Sequence, residues 1–273
     1  MLWRRRSTAA RVAIRRRSPI AFFLLVFALS APLQVLGALV EAPAWVPMDL
    51  PLSALMFVTP LVAALILVLR EEGAAGVRRL LSRTADLRGI GLRWYAPILL
   101  TWPLVTALGY ALMVASGAPL PEPHVALAAL PVLLVVFVIA AAFEEAGWMG
   151  YAADPLRKRW GALNAGLVMG VVWGAWHLLP WSQVHPPAWV LWQFVGTVAT
   201  RVLIFWLYGV TGGSVASAVL FHAMCNVSVA LFPNDGSHYD PAFTAPVVVL
   251  AAVLVSVLWG PRTLADRRRP PRR

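Results

Sequence analysis

The sequence predicts an all-α fold, a polytopic transmembrane helical bundle of about eight spans with both termini on the inner side. Three observations carry that prediction. Of the 273 residues, 60% are hydrophobic and 13% charged, against roughly half apolar and a quarter charged in soluble domains. The apolar residues form continuous runs close to the ~20 residues that cross a hydrocarbon core, without the period-two alternation of barrel strands. The basic residues occupy alternate gaps between those runs, as the positive-inside rule requires.

The first run, 20–40, follows an arginine-rich start that includes Arg4 to Arg6 and Arg15 to Arg17. It imitates a secretory signal but is longer than a signal core and is followed by further spans, so it reads as an uncleaved first span. The later runs are 51–69, 95–115, 126–152, 162–180, 188–208, 213–232 and 243–260. With the N-terminus inside, the inner segments are 1–19, 70–94, 153–161, 209–212 and 261–273. They hold 22 of the 23 Lys+Arg residues, and the last, Arg201, lies within the sixth run. The outer segments carry acids and no Lys or Arg: Glu41, Asp49, Glu122, Asp235 and Asp240. One span more or fewer would scramble this asymmetry. The expected organisation is a basic inner tail at 1–19, one membrane domain at 20–260 and a second basic tail at 261–273. No internal repeat stands out.

The net charge of +11 sits in short blocks beside membrane segments, such as Arg157 to Arg159 and Arg267 to Arg269. That placement predicts anionic lipid headgroups as partners rather than nucleic acid. The one cysteine, Cys225, falls in an apolar run, which excludes a disulfide framework and argues for a packing role. Arginine outnumbers lysine 22 to one, which suits a GC-rich bacterial genome and a location in the cell membrane.

Ionisable side chains inside a membrane bundle are costly, and their default reading is functional. This chain carries Glu144, Glu145, His177, Arg201 and His222 within spans four to seven, with Asn226 as a neutral companion. Hydropathy alone ends the fourth run at Phe143. A helix continuing to about Ala153 would instead place Glu144 roughly 14 Å inside. Residues four apart share a helix face, so His222 and Asn226 point the same way and Trp173 lies one turn below His177. Glu144 and Glu145 are adjacent and diverge. One should face the pocket and the other should find a second partner. Singly, each residue has a structural reading: interhelical hydrogen bonding for a histidine or Asn226, a counter-ion for Arg201, a solvated helix end for the glutamates. Their coincidence on consecutive spans predicts one shared polar pocket.

At these residues the chain resembles the CAAX prenyl endopeptidase and bacteriocin-processing (CPBP, or abortive-infection type) family of intramembrane proteases. The similarity covers about 130–232, the expected catalytic core. Phe143-Glu144-Glu145-Ala146-Gly147-Trp148 resembles the first motif, Trp173-Gly174-Ala175-Trp176-His177 the second, and Phe221-His222-Ala223-Met224-Cys225-Asn226 the third. Arg201 and the turn Thr211-Gly212-Gly213-Ser214 fit the approach to the third. One position departs: Met149 stands where the first motif has arginine, and Arg201 is the candidate to supply that charge to Glu145.

The resemblance implies peptide-bond hydrolysis, and the residues suit it without a covalent nucleophile. Glu144, aided by His177, is expected to activate water, and His222 with Asn226 to stabilise the oxyanion. Glu145, Arg201 and Trp173 are expected to support them. Glu144, His177 and His222 are also zinc-ligand types, but no HExxH pair lies on one helix. Metal-independent hydrolysis is therefore the expectation, with zinc the alternative. The expected substrate is a small peptide or another membrane protein. Two other classes remain open: an inactive family member serving as a membrane scaffold or in bacteriocin immunity, and a transporter. The clustering of polar residues in one half of the chain disfavours the transporter, since transporters often show matching halves.

Overall fold

Ser18 opens the first helix, accepting a hydrogen bond from the Ala21 amide while Pro19 supplies a preset first turn. In the computed structural model, residues 17–40 and 51–265 are described, and among them every regular element is helical. The helices are α1 (Pro19–Leu39), α2 (Thr59–Ala85, entered through a 3₁₀ turn at Leu52–Val58), α3 (Tyr95–Ala115) and α4 (Leu130–Gly147). They continue as α5 (Ala153–Val184), α6 (Pro187–Val210), α7 (Val215–Ala230) and α8 (Pro241–Trp259). The eight helices follow the eight apolar runs. The arginines at 4–6, 15, 16 and 267–269, and the acids Glu41 and Asp49, lie outside the described residues.

Among the described residues six helical stretches are long and apolar enough to cross a membrane, and one of them, Leu127–Val184, spans 58 residues and contains two predicted runs. With the shorter apolar helix α7, they make a multi-pass membrane protein. At 16 residues, α7 is only about 24 Å long, which fits a helix that carries site residues inside the bundle. It starts from the predicted turn: Gly212 and Gly213 take φ of 70° and 90°, a region open to glycine. Ser214 then caps the helix by accepting from the Ser217 amide.

Two inner segments differ from a simple loop reading. The segment after the second run continues as helix to Ala85, bent at Gly73 (φ 65°). The 153–161 segment is helical as well and breaks at Gly161 (φ 78°, ψ 173°). Beyond that break the helix restarts, and its free amides need acceptors. The chain after α8 supplies them: Ala162 N donates to the Arg262 carbonyl and Leu163 N to the Pro261 carbonyl. Leu264 of the same segment is fully buried.

Both ends of the described chain meet at one end of the bundle. Arg17 pairs with Glu72 at 2.7 Å and donates to the Gly150 carbonyl. Arg83 reaches Asp154, Tyr208 donates to Asp154, and Arg157 reaches the Thr263 carbonyl. The opposite end is tied by His124 and Asn234, which exchange backbone and side-chain hydrogen bonds. Among the described residues the loops at that opposite end, 116–126 and 231–240, carry acids and no Lys or Arg, whereas the end with Arg17, Arg83 and Arg157 carries cations paired with Glu72 and Asp154.

Candidate active site

The glutamate pair occupies the last turn of α4, directly before a π-helical turn at Trp148–Ala152. Single π turns concentrate at functional positions. Neither a plain helix to Ala153 nor an end at Phe143 describes this region: the helix runs on, but in wider register. Arg17, through the Gly150 carbonyl, and Tyr151, through its hydroxyl to Glu71, pin the turn to the segment that leads into α1 and to α2. Met149 sits inside it, fully buried.

The two adjacent carboxylates diverge as expected. Glu144 is buried, and its Oε2 accepts from the Trp173 indole N–H at 3.0 Å. Glu145 has no exposed surface; its Oε1 and Oε2 lie 2.9 and 2.7 Å from Arg201 Nη1. A second partner reaches Glu145 from α7: His222 Nδ1 lies 3.0 Å from Oε1. The partner anticipated for Glu145 is thus in place, and His222 is anchored on the same carboxylate.

His177 lies one turn beyond Trp173 on α5, with Nδ1 at 2.9 Å from the Trp173 carbonyl. A carbonyl only accepts, so Nδ1 carries the proton in this hydrogen bond and Nε2 of the neutral ring is an acceptor. Aromatic rings enclose it: Trp176 at 4.6 Å, Trp181 stacked at 5.0 Å and Trp173 edge-on at 5.4 Å. Trp173 also meets His222 edge-on at 5.1 Å. Asn226, one turn after His222 on α7, is half-buried, and among the described residues its side chain has no hydrogen-bond partner. Glu144, Glu145, Trp173, His177, Arg201 and His222 therefore form one connected set, and Asn226 stands beside it. Outside the spans, His185 in the turn after α5 stacks on Trp189 at 3.6 Å. Burial holds its imidazole below the ordinary histidine range.

Among the described residues no group of three His, Cys, Asp or Glu side chains is arranged to hold a metal ion. Glu144, His177 and His222 do not converge as a zinc site would require. Cys225 is free and half-buried.

One feature that places the site has a sequence signal that polarity alone does not reveal. Gly166, Gly170 and Gly174 recur every four residues along α5, forming a small-residue stripe on one face. A Cβ on Gly166 would meet the Val202 backbone at 3.3 Å, one on Gly174 would meet the Phe194 ring at 2.8 Å, and one on Gly170 would meet the Val198 backbone at 2.9 Å and Arg201 Cβ at 3.2 Å. The stripe lets α6 lie against α5 where Arg201 enters the site.

Fold and site together define a polytopic helical membrane protein with a buried Glu/His/Arg/Trp cluster. Residues 126–228 match the family model described as Type II CAAX prenyl endopeptidase Rce1-like, and all three motif segments fall within that match. The chain is also 24% identical over 232 residues to CAAX prenyl protease 2 of Methanococcus maripaludis, covering 78% of this chain and 84% of that protein. These matches bear out the resemblance read from the motifs: over its glutamate and histidine segments the chain is similar to the CPBP family of intramembrane proteases.

Proposed function

We propose that this protein is an intramembrane endopeptidase in which Glu144, with His177, activates a water molecule for attack on a peptide bond. The observation that carries the reading is the asymmetry of the glutamate pair. Glu145 is neutralised by Arg201, whereas Glu144 is held by a neutral indole N–H. That leaves Glu144 as the carboxylate suited to proton transfer. Glu144 takes a proton from water as the oxygen bonds to the scissile carbonyl carbon. His177, whose Nε2 is an acceptor, helps orient that water. The carbonyl oxygen becomes an oxyanion, stabilised by donors from His222 and Asn226. For Nε2 of His222 to donate while Nδ1 serves Glu145, the ring must carry both protons. The carbon–nitrogen bond then breaks as Glu144 returns its proton to the leaving amine.

The substrate is proposed to be a small peptide or another membrane protein in a bacterial plasma membrane. The name of the Methanococcus maripaludis relative adds a prenylated CAAX tail as a substrate to test. The basic inner segments are proposed to hold anionic lipid headgroups, with both termini cytoplasmic. Met149 favours a second reading, a family member that has lost turnover and works by binding, as a scaffold or in immunity.

A fluorogenic peptide panel that includes a prenylated tail tests both readings on the purified protein. Cleavage by wild type that is lost in Glu144→Gln and in His177→Ala supports the protease reading. Stoichiometric zinc by elemental analysis, lost in those variants, would move the mechanism to a metal. An inert wild type with turnover gained in Met149→Arg would establish the second reading.

A further inference from the structure

Arg201 is a counter-ion for Glu145, but its contacts reach further than one carboxylate. Its side chain has no exposed surface, and it enters the bundle where Gly170 brings α5 and α6 together. One nitrogen, Nη1, faces both oxygens of Glu145. Among the described residues, Nε and Nη2 have no hydrogen-bond partner. Instead, the flat guanidinium lies over the Trp173 ring, with Cζ 3.9 Å from the centroid. That is well inside the ~6 Å range of a cation–π contact. Trp173 in turn holds two of the proposed catalytic groups, Glu144 through its indole N–H and His177 through its backbone carbonyl. Glu145 holds a third, His222. All three are thus within two contacts of one cation, by two branches that touch each other where Trp173 meets His222 edge-on.

We infer that Arg201 is a positioning residue that sets both halves of the site at once: the Glu145–His222 half by its charge, and the Trp173–Glu144 half by its flat face. This rests on the protease reading for its effect on turnover, while its structural content does not. A simple counter-ion would need only the charge. Lysine keeps the charge but presents a compact ammonium without a planar face, so the two branches are separable by substitution.

Melting temperature and peptide cleavage of the full-length protein in detergent test the inference. Arg201→Met leaves the buried Glu145 carboxylate with His222 as its one remaining partner among the described residues and should lower the melting temperature by about 10 °C. Arg201→Met/Glu145→Gln removes both charges and should recover most of that loss. Cleavage by this double variant should remain at least about tenfold down in kcat with KM changed less than about twofold, because the Trp173 branch is still released and His222 has lost its carboxylate anchor. Arg201→Lys should keep the melting temperature within a few degrees and lose kcat severalfold. Wild-type kcat in the double variant or in Arg201→Lys would overturn the inference and leave Arg201 a counter-ion.

A wild type that cleaves nothing would sink the protease reading alone, and the structural content is then read from stability. Double-mutant cycles of Arg201→Met with Glu145→Gln and with Trp173→Leu should both be non-additive in melting temperature. Additivity in the Trp173 cycle would overturn the two-branch role without reference to activity.

Discussion

At the scale of the residue, the site is a study in how neighbours in sequence take different jobs. Glu144 and Glu145 are chemically identical, yet one meets an indole and the other a guanidinium and an imidazole. Helix geometry enforces the split, since successive side chains point about 100° apart on a helix. Breaking a buried ion pair from one side costs about 3–5 kcal/mol, because the remaining charge is left buried and unpaired. Glu145→Gln should therefore destabilise the protein more than Glu144→Gln, as read by thermal unfolding in detergent. Equal melting temperatures for the two variants would contradict the division of labour. The divergence of the two glutamates and the pairing of Arg201 with Glu145 were legible in the sequence, because adjacency and a lone membrane cation each demand a partner. The anchoring of His222 on Glu145 was not. Spacing along one helix says which face a residue shares, but not which residue of another helix it meets.

At the scale of the element, helix registers deliver these side chains to one place. The π turn at Trp148–Ala152 and the glycine stripe on α5 set where α4 and α6 present their polar residues. Apolar periodicity cannot reveal a π turn, because the turn changes hydrogen-bond register without changing composition. The glycine stripe was visible as a four-residue repeat but is silent in any reading that follows polarity. Gly170→Val places branched bulk against the Val198 backbone, where little can move. Overpacking of this kind costs about 1–3 kcal/mol, and here it also displaces Arg201. The expected outcome is a lowered melting temperature together with a fall in kcat, whereas a control at exposed Val171, Val171→Leu, should leave both unchanged. Wild-type behaviour of Gly170→Val would show that the close approach of α5 and α6 does not set the site. Ser214→Ala, which removes the α7 cap, should cost about 1 kcal/mol and loosen the helix that carries His222.

At the scale of the whole molecule, charge and connectivity agree. The described N-terminal residue Arg17 and the buried Leu264 belong to the same end, joined through Gly150, Asp154, Tyr208 and Arg157. The eight helices among the described residues, an even number, bring Leu264 back to the end of the bundle that holds Arg17. Composition made the helical bundle and its span count readable, since ~20-residue apolar runs have few other solutions. The helical continuation through 70–85 and 153–160 was less readable because charged residues lower hydropathy without breaking a helix. The orientation proposed here puts both termini in the cytoplasm. A membrane-impermeant thiol reagent should label Ser237→Cys in intact cells and Ser7→Cys only after lysis. The reverse pattern would invert the topology.

In the proposed mechanism Glu144 transfers the proton in peptide hydrolysis. The most direct measurement is kcat for wild type and Glu144→Gln, reconstituted in lipid vesicles at matched melting temperature, on the best substrate of the peptide panel. Loss of at least about a hundredfold in kcat, within the range of a missing general base, is the predicted result. A Glu144→Gln protein that cleaves at the wild-type rate would contradict the account and return the site to a structural role.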